Sequence, residues 1–266
     1  MIYTTKESII FNYSSEDEKL FTDNQKEYWK NIIHFYEKIR SLCLSEIQTP
    51  IESTHKKWIT SRVNLHTTTS LTRLLYLTES FSNSALDFNS VAAAIHIKAM
   101  TEIPLHLGYI VWVLDSHHSF NEIREQLAKI AFGNRNNGTG LTVSSKISHK
   151  EMYTKTDEIM TKLFKNNEHK MNMFESLYKD ANAIGHHNHE SHNMLIGLRT
   201  DETWRIKDRK EWFVFWSNNI FQFFLYCNTI LTMSWVLMDA INYYLTQLPE
   251  YFPDKGIETK SPLNNK

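Results

Sequence analysis

The stretch VAAAIHIKAMTEIPLHLGYIVWVL, Val91 to Leu114, decides the fold. It is apolar on most of its circumference, which is the pattern of a helix surrounded by other elements rather than one resting on a surface. Asn89 or Ser90, just before it, has the side chain of a helix N-cap. Pro104 lies inside it and is expected to kink the helix or split it in two, because proline lacks the N–H that the ladder needs. Lys98, Glu102 and His106 recur at four-residue intervals and so form one charged row along a helix that is otherwise oily. Buried charge requires partners, and Lys98 and Glu102 stand at the spacing where they support each other.

Helical periodicity continues on both sides. Trp29, Ile32, Ile33, Tyr36 and Ile39 recur every three or four residues from about Asp23, with a stop expected before Pro50. A second helix is expected from Ser53 to about Ser80, striped by Leu71, Leu74, Leu75 and Leu77, although the threonines of HTTTSLT are mediocre helix formers. FNEIREQLAKIAF is a shorter amphipathic helix that faces inward through Ile123, Leu127 and Ile130. Lys150–Phe164 and Lys170–Ile184 supply two more helices, and a long final one runs from about Lys210 to Leu248, ended by Pro249 and Pro253. GNRNNGTG, Gly133 to Gly140, is a connector without the spacing of a phosphate-binding loop, and LRTDETWRIKDRKEW is a polar, basic connection. With only 7 glycines and 5 prolines in 266 residues, the chain has little material for the tight turns of an all-β protein. The expected architecture is an all-α, single-domain bundle of six to eight helices over residues 16–250, with a flexible arm at 1–15 and a disordered tail at 251–266.

Bulk chemistry narrows the function classes. A formal charge of −1 gives no global signature of a nucleic-acid binder, although a local basic patch is compatible with it. Two cysteines make neither a disulfide framework nor a cysteine-rich zinc site, so a reducing cytoplasm is the expected location. No basic start followed by a long apolar run marks a secretory leader. Trp212 to Met238 carries no charge and is long enough to span a bilayer until Asp239, but its serines, asparagines and threonines favour the centre of a bundle, and no membrane association is expected. The aromatic surplus of EWFVFWSNNIFQFFLYCNTILTMSW suggests a second protein surface, hence a homodimer or a protein partner.

Candidate chemistry concentrates in GHHNHESH, Gly185 to His192. If helical, His186, His189 and His192 fan over about a third of the circumference and, with Glu190, offer a metal set, although no HExxH motif is present. The metal-free alternative uses a histidine to move the 2′-hydroxyl proton of RNA and a cation to hold the phosphate. Lys179 and Arg199 are candidate cations. Asn188 is a candidate orienting group, and Asn182 and Asn193 are others. No cofactor is expected.

SVAAAIHIKAMTEIPLHLGYIVWVL, FNEIREQLAKIAFGNR and FESLYKDANAIGHHNHESHNML together resemble a group of uncharacterised bacterial helical proteins. In that group a buried helix carries Arg-x-x-x-Glu and a later segment carries Tyr and His-x-Asn. The corresponding residues here are Lys98, Glu102, Tyr178, His186 or His187, and Asn188. More distantly, the region from Leu65 to Leu195 resembles the HEPN superfamily of helical bundles, which includes dimeric ribonucleases of toxin–antitoxin, CRISPR and antiphage systems. The resemblance implies RNA as substrate, His186 as acid–base residue, Lys98 or Lys179 on phosphate, and Glu102 and Asn188 as orienting groups. Tyr178 and Arg199 complete the implied substrate site. HEPN ribonucleases place four to six residues between Arg and His. Here the nearest arrangement is Lys179-x6-His186, with lysine for arginine, and RVNLH places only three residues between Arg62 and His66. Two further readings stay open: a non-catalytic helical dimerisation or interaction module, and a metal-dependent hydrolase.

Overall fold

The computed structural model describes residues 11–44, 46–47, 54–132, 147–165, 172–185, 196–198, 204–206, 208–220 and 222–252. The class is all-helical, as expected. Nine α-helices occur among these residues: α1 Ser15–Glu18, α2 Asp23–Leu42, α3 His55–Leu86, α4 Ser90–Ser116, α5 Phe120–Phe132, α6 His149–Leu163, α7 Met173–Gly185, α8 Arg209–Phe215 and α9 Phe223–Gln247. The expected count of six to eight fell short for two local reasons. The segment Ser15–Glu18 closes one extra turn on a Ser14 cap. The expected Lys210–Leu248 helix is interrupted by a π-helical turn, Trp216–Ile220, and by Gln222 at φ 40°. The basic connection after the histidine segment is not all loop either: β1 Ile196–Leu198 pairs antiparallel with β2 Trp204–Ile206.

Pro104 does not split its helix: α4 runs unbroken from Ser90 to Ser116. Asn89 caps it, accepting from the Ala92 N–H at 3.1 Å. The turn before it is a Schellman closure, with Asn89 N–H donating to Ser84 O at 2.8 Å and Phe88 N–H to Ala85 O at 2.9 Å. Phe88 holds the left-handed position at φ 55°, where glycine would be ordinary. The threonines of α3 do not end that helix; their hydroxyls are satisfied by its own carbonyls, Thr69 donating to Leu65 O at 2.8 Å and Thr78 to Leu74 O at 2.7 Å.

The chain divides into two compact units, each assembled from three stretches. The first comprises Met1–Cys43, Leu71–Ile103 and Ser176–Trp235. Its core is aromatic. Tyr13, Phe21, Trp29, Phe88, Phe213 and Phe224 pack with ring centroids 4.9–6.5 Å apart in the recorded pairs, and Phe11 stacks on Trp29. The Tyr13 hydroxyl donates to Ala85 O at 2.9 Å, and burial holds its pKa well above the phenolic range. Trp29, Ile32, Tyr36 and Ile39 of α2 are buried, as the periodicity requires, and Gln25 joins them by donating to Ser217 O in the π-turn at 2.8 Å.

The second unit comprises Leu44–Ser70, Pro104–Glu175 and Val236–Lys266. Its part of α4 is buried almost all round, through Leu105, Leu107, Tyr109, Ile110, Val111 and Val113. Gly108 lets α6 approach: a Cβ there would lie 2.4 Å from two Thr156 side-chain atoms. Thr156 donates to Leu105 O at 3.2 Å across the same approach. Asp115 ends this core as a buried carboxylate, bonded by the Tyr244 hydroxyl at 2.7 Å and by Lys162 Nζ at 2.7 Å.

Candidate functional site

The two units hold different parts of the candidate chemistry. In the first unit, Lys98 and Glu102 are half-buried on α4. Glu102 is bonded to Arg73 of α3 at 3.3 Å, a partner not anticipated from the Lys98–Glu102 spacing. The same face carries Ile95, which is 50% exposed, so this half of α4 is less enclosed than its composition suggests. On α7, Tyr178 is half-buried and Lys179 exposed. Next to them Asp180 accepts from the Tyr226 hydroxyl of α9 at 3.1 Å, and burial together with that carboxylate raises the Tyr226 pKa to about 12. His186, His187, Asn188, His189, His192 and Arg199 lie outside the described residues, as does the Gly133–Gly140 connector.

In the second unit a group forms that motif spacing had set aside. Trp58, Arg62 and His66 stand four residues apart on α3 and therefore along one stripe. The Arg62 guanidinium lies 5.5 Å from the centre of the Trp58 ring and is exposed. His66 is half-buried, and its pKa falls from 6.5 to about 4. Burial is the largest cause, followed by the Arg62 charge and by His106 of α4. At neutral pH His66 is an uncharged imidazole one helical turn from the Arg62 cation and within electrostatic reach of the His106 imidazole. That trio can take a proton and hold an anion. The signal in the sequence was RVNLH, but nothing local brings His106, forty residues on, within electrostatic reach of His66.

The buried carboxylates of this unit are committed elsewhere. Asp157 of α6 accepts the Phe174 N–H at 2.9 Å and the Glu175 N–H at 3.1 Å, which caps the first turn of α7 from another helix. Asp115 holds Lys162 and Tyr244. Among the described residues no three His, Cys, Asp or Glu side chains gather closely enough to hold a metal ion. Helix α9 is long and apolar enough to cross a membrane by length and composition, with half of its most apolar window buried inside the protein.

No protein family, characterised protein or solved structure matches this chain.

Proposed function

We propose that the chain is a HEPN-like helical protein that acts on RNA without a metal, with Arg62, His66 and His106 as its acid–base and phosphate-holding group. The support for this reading is the placement of half-buried His66 one helical turn from the exposed Arg62 on α3, where burial, Arg62 and His106 hold its imidazole pKa low. In the reaction, His66 takes the proton of a 2′-hydroxyl as that oxygen bonds to the adjacent phosphorus. The bond from phosphorus to the 5′-oxygen breaks, and the departing 5′-oxygen takes up a proton from the acid partner of the group, the role assigned to His106. A cyclic 2′,3′-phosphate and a 5′-hydroxyl result. Arg62 balances the charge on the non-bridging oxygens. A bound phosphate offsets the Arg62 charge and so relieves the second of the causes that depress His66, while burial, the largest cause, keeps the imidazole a weak base. The histidine segment His186–His192, with Lys98, Glu102, Asn188, Lys179, Tyr178 and Arg199, is the competing location for the same chemistry, and both belong in one experiment.

The test is incubation with total RNA, with and without chelator, for the unaltered protein and for His66→Gln, His106→Gln, His186→Ala and Glu102→Ala. Cleavage that persists in chelator and disappears in His66→Gln supports this assignment. Loss in His186→Ala alone moves the site to the histidine segment, and cleavage abolished by chelator points to metal-dependent hydrolysis. Absence of cleavage by the unaltered protein overturns the reading.

A second reading has its own support. Asp115, Asp157, Glu79 and Glu102 are all engaged in bonds between helices, the pattern of a polar network that sets helix register. A non-catalytic interaction module in a defence or stress system, acting as a homodimer or with a protein partner in the cytoplasm, would use them in that way. It predicts no cleavage in any arm and a loss of stability in each variant that breaks the network.

A further inference from the structure

The start of α3, the start of α5 and the segment Glu250–Phe252 meet in the second unit and form a connected series of rings. His55 lies flat on Phe120, with centroids 4.1 Å apart and planes within 6°. Trp58 meets the same ring edge-on at 5.3 Å. Tyr251 stands 5.5 Å from His55 at a steep angle and is 64% exposed, the most exposed large apolar side chain among the described residues. The Phe252 N–H donates to His55 Nδ1 at 3.1 Å and the Thr54 hydroxyl donates to Glu250 at 2.8 Å, so the segment carrying Tyr251 is fastened at both ends.

Cations are laid on these rings. Arg62 lies 5.5 Å from the centre of Trp58 and Arg124 lies 5.9 Å from the centre of Phe120; both are exposed. Lys57 is exposed beside them, and Lys56 Nζ is held at 3.2 Å by Thr246 O. Glu122, Glu125 and Glu250 are exposed acids on the same segments, and Glu125 is paired with Lys129 at 2.9 Å, so the cations outnumber the acids there on a chain with a formal charge of −1. A guanidinium resting flat on a ring keeps its N–H donors directed outward at little cost in entropy.

We propose that this face binds single-stranded nucleic acid. An unpaired base stacks on Tyr251 while the flanking phosphates meet Arg62, Arg124 and Lys57. Exposed aromatic rings interleaved with cations are the chemistry that holds single strands without regard to sequence, because every base offers a π-face and every linkage offers a charge. A duplex keeps its bases stacked on each other and offers only its phosphates. The proposal does not depend on cleavage at His66, since a DNA strand satisfies it equally well.

The test uses the full chain and fluorescein-labelled oligonucleotides of about 20 nucleotides, as single-stranded DNA, single-stranded RNA and duplex DNA, followed by anisotropy at two salt concentrations. The expected result is binding of both single strands, weaker binding of the duplex, and loss of affinity with salt. Tyr251→Leu lowers affinity about fivefold or more, and Lys57→Glu with Arg124→Glu lowers it at least about tenfold while flattening the salt dependence. None of these three residues belongs to the Arg62–His66–His106 group, so cleavage and binding can fail separately. Tyr251 is exposed, so its replacement leaves the fold intact, which circular dichroism verifies. The proposal is overturned by no binding at low salt, by equal binding of duplex and strand, by unchanged affinity in the variants, or by a phosphoserine peptide that competes as well as an unlabelled strand.

Discussion

Acidification should weaken the fold through His66, and the size of the effect follows from its surroundings. In the unfolded chain this imidazole takes a proton near pH 6.5, while in the folded protein it resists until about pH 4. Between those values the unfolded state binds the proton and the folded state does not, so stability rises with pH there. The contribution is complete above pH 6.5 and is lost as the pH falls toward 4. At about 1.4 kcal/mol for each tenfold change in proton affinity, the upper bound is about 3 kcal/mol. Because His66 is only half-buried, solvent relaxation reduces this to about 1–2 kcal/mol. His96 and His117 are also depressed by burial and contribute in the same direction. The comparison must therefore be a double difference: urea unfolding at pH 7.5 and pH 5 for the unaltered protein and for His66→Gln. Between the two pH values the unaltered protein should lose about 1–2 kcal/mol more than the variant. Equal losses in both would refute the burial argument and remove the main support for His66 as a neutral base.

Three other substitutions test the packing. Asp157→Ala exposes two amides of α7 without a cap and should cost about 2–3 kcal/mol in urea unfolding, with hydrogen exchange accelerated first at Phe174 and Glu175; Asp157→Asn, which keeps one acceptor, should cost less. Gly108→Ala drives a methyl into Thr156 and should cost about 1–3 kcal/mol by thermal melting. Adding Thr156→Ala should recover only part of it, because the Thr156 Cβ itself lies 2.8 Å from the added carbon. Tyr244→Phe removes a donor from the buried Asp115 carboxylate and should cost about 1.5–3 kcal/mol, measured by urea unfolding at neutral pH.

What the sequence made legible depended on how local each cause was. The apolar stripe of α2, Ile123 and Leu127 on α5, and the Asn89 cap each arise within a few residues and could be read directly. Phe88 escaped because its left-handed backbone is held by rings from distant segments, Tyr13, Phe21 and Phe213, rather than by a glycine that would announce it. The break at Gln222 escaped for a related reason: the apolar pattern continues across it, while a widened turn beside Gln25 shifts the register. Glu102 was correctly read as needing a partner, but a four-residue rule can only nominate neighbours on the same helix, and Arg73 is on another. His66 was visible only as half of a motif with the wrong spacing. Its meaning comes from burial and from His106, neither of which any window of sequence contains.

The interleaving of the chain has a consequence for anyone wishing to dissect this protein. Neither unit is a contiguous stretch: the first draws on residues as late as Trp235 and the second begins at Leu44 and closes with residues after Val236. A premature stop in α9 before Trp235 would strip both of their final strip of wall, and neither half can be excised as one contiguous piece. During translation neither half can complete its packing until the last long helix has left the ribosome, so the C-terminal end of α4 must wait for partners encoded more than a hundred codons downstream, such as Tyr244 for Asp115.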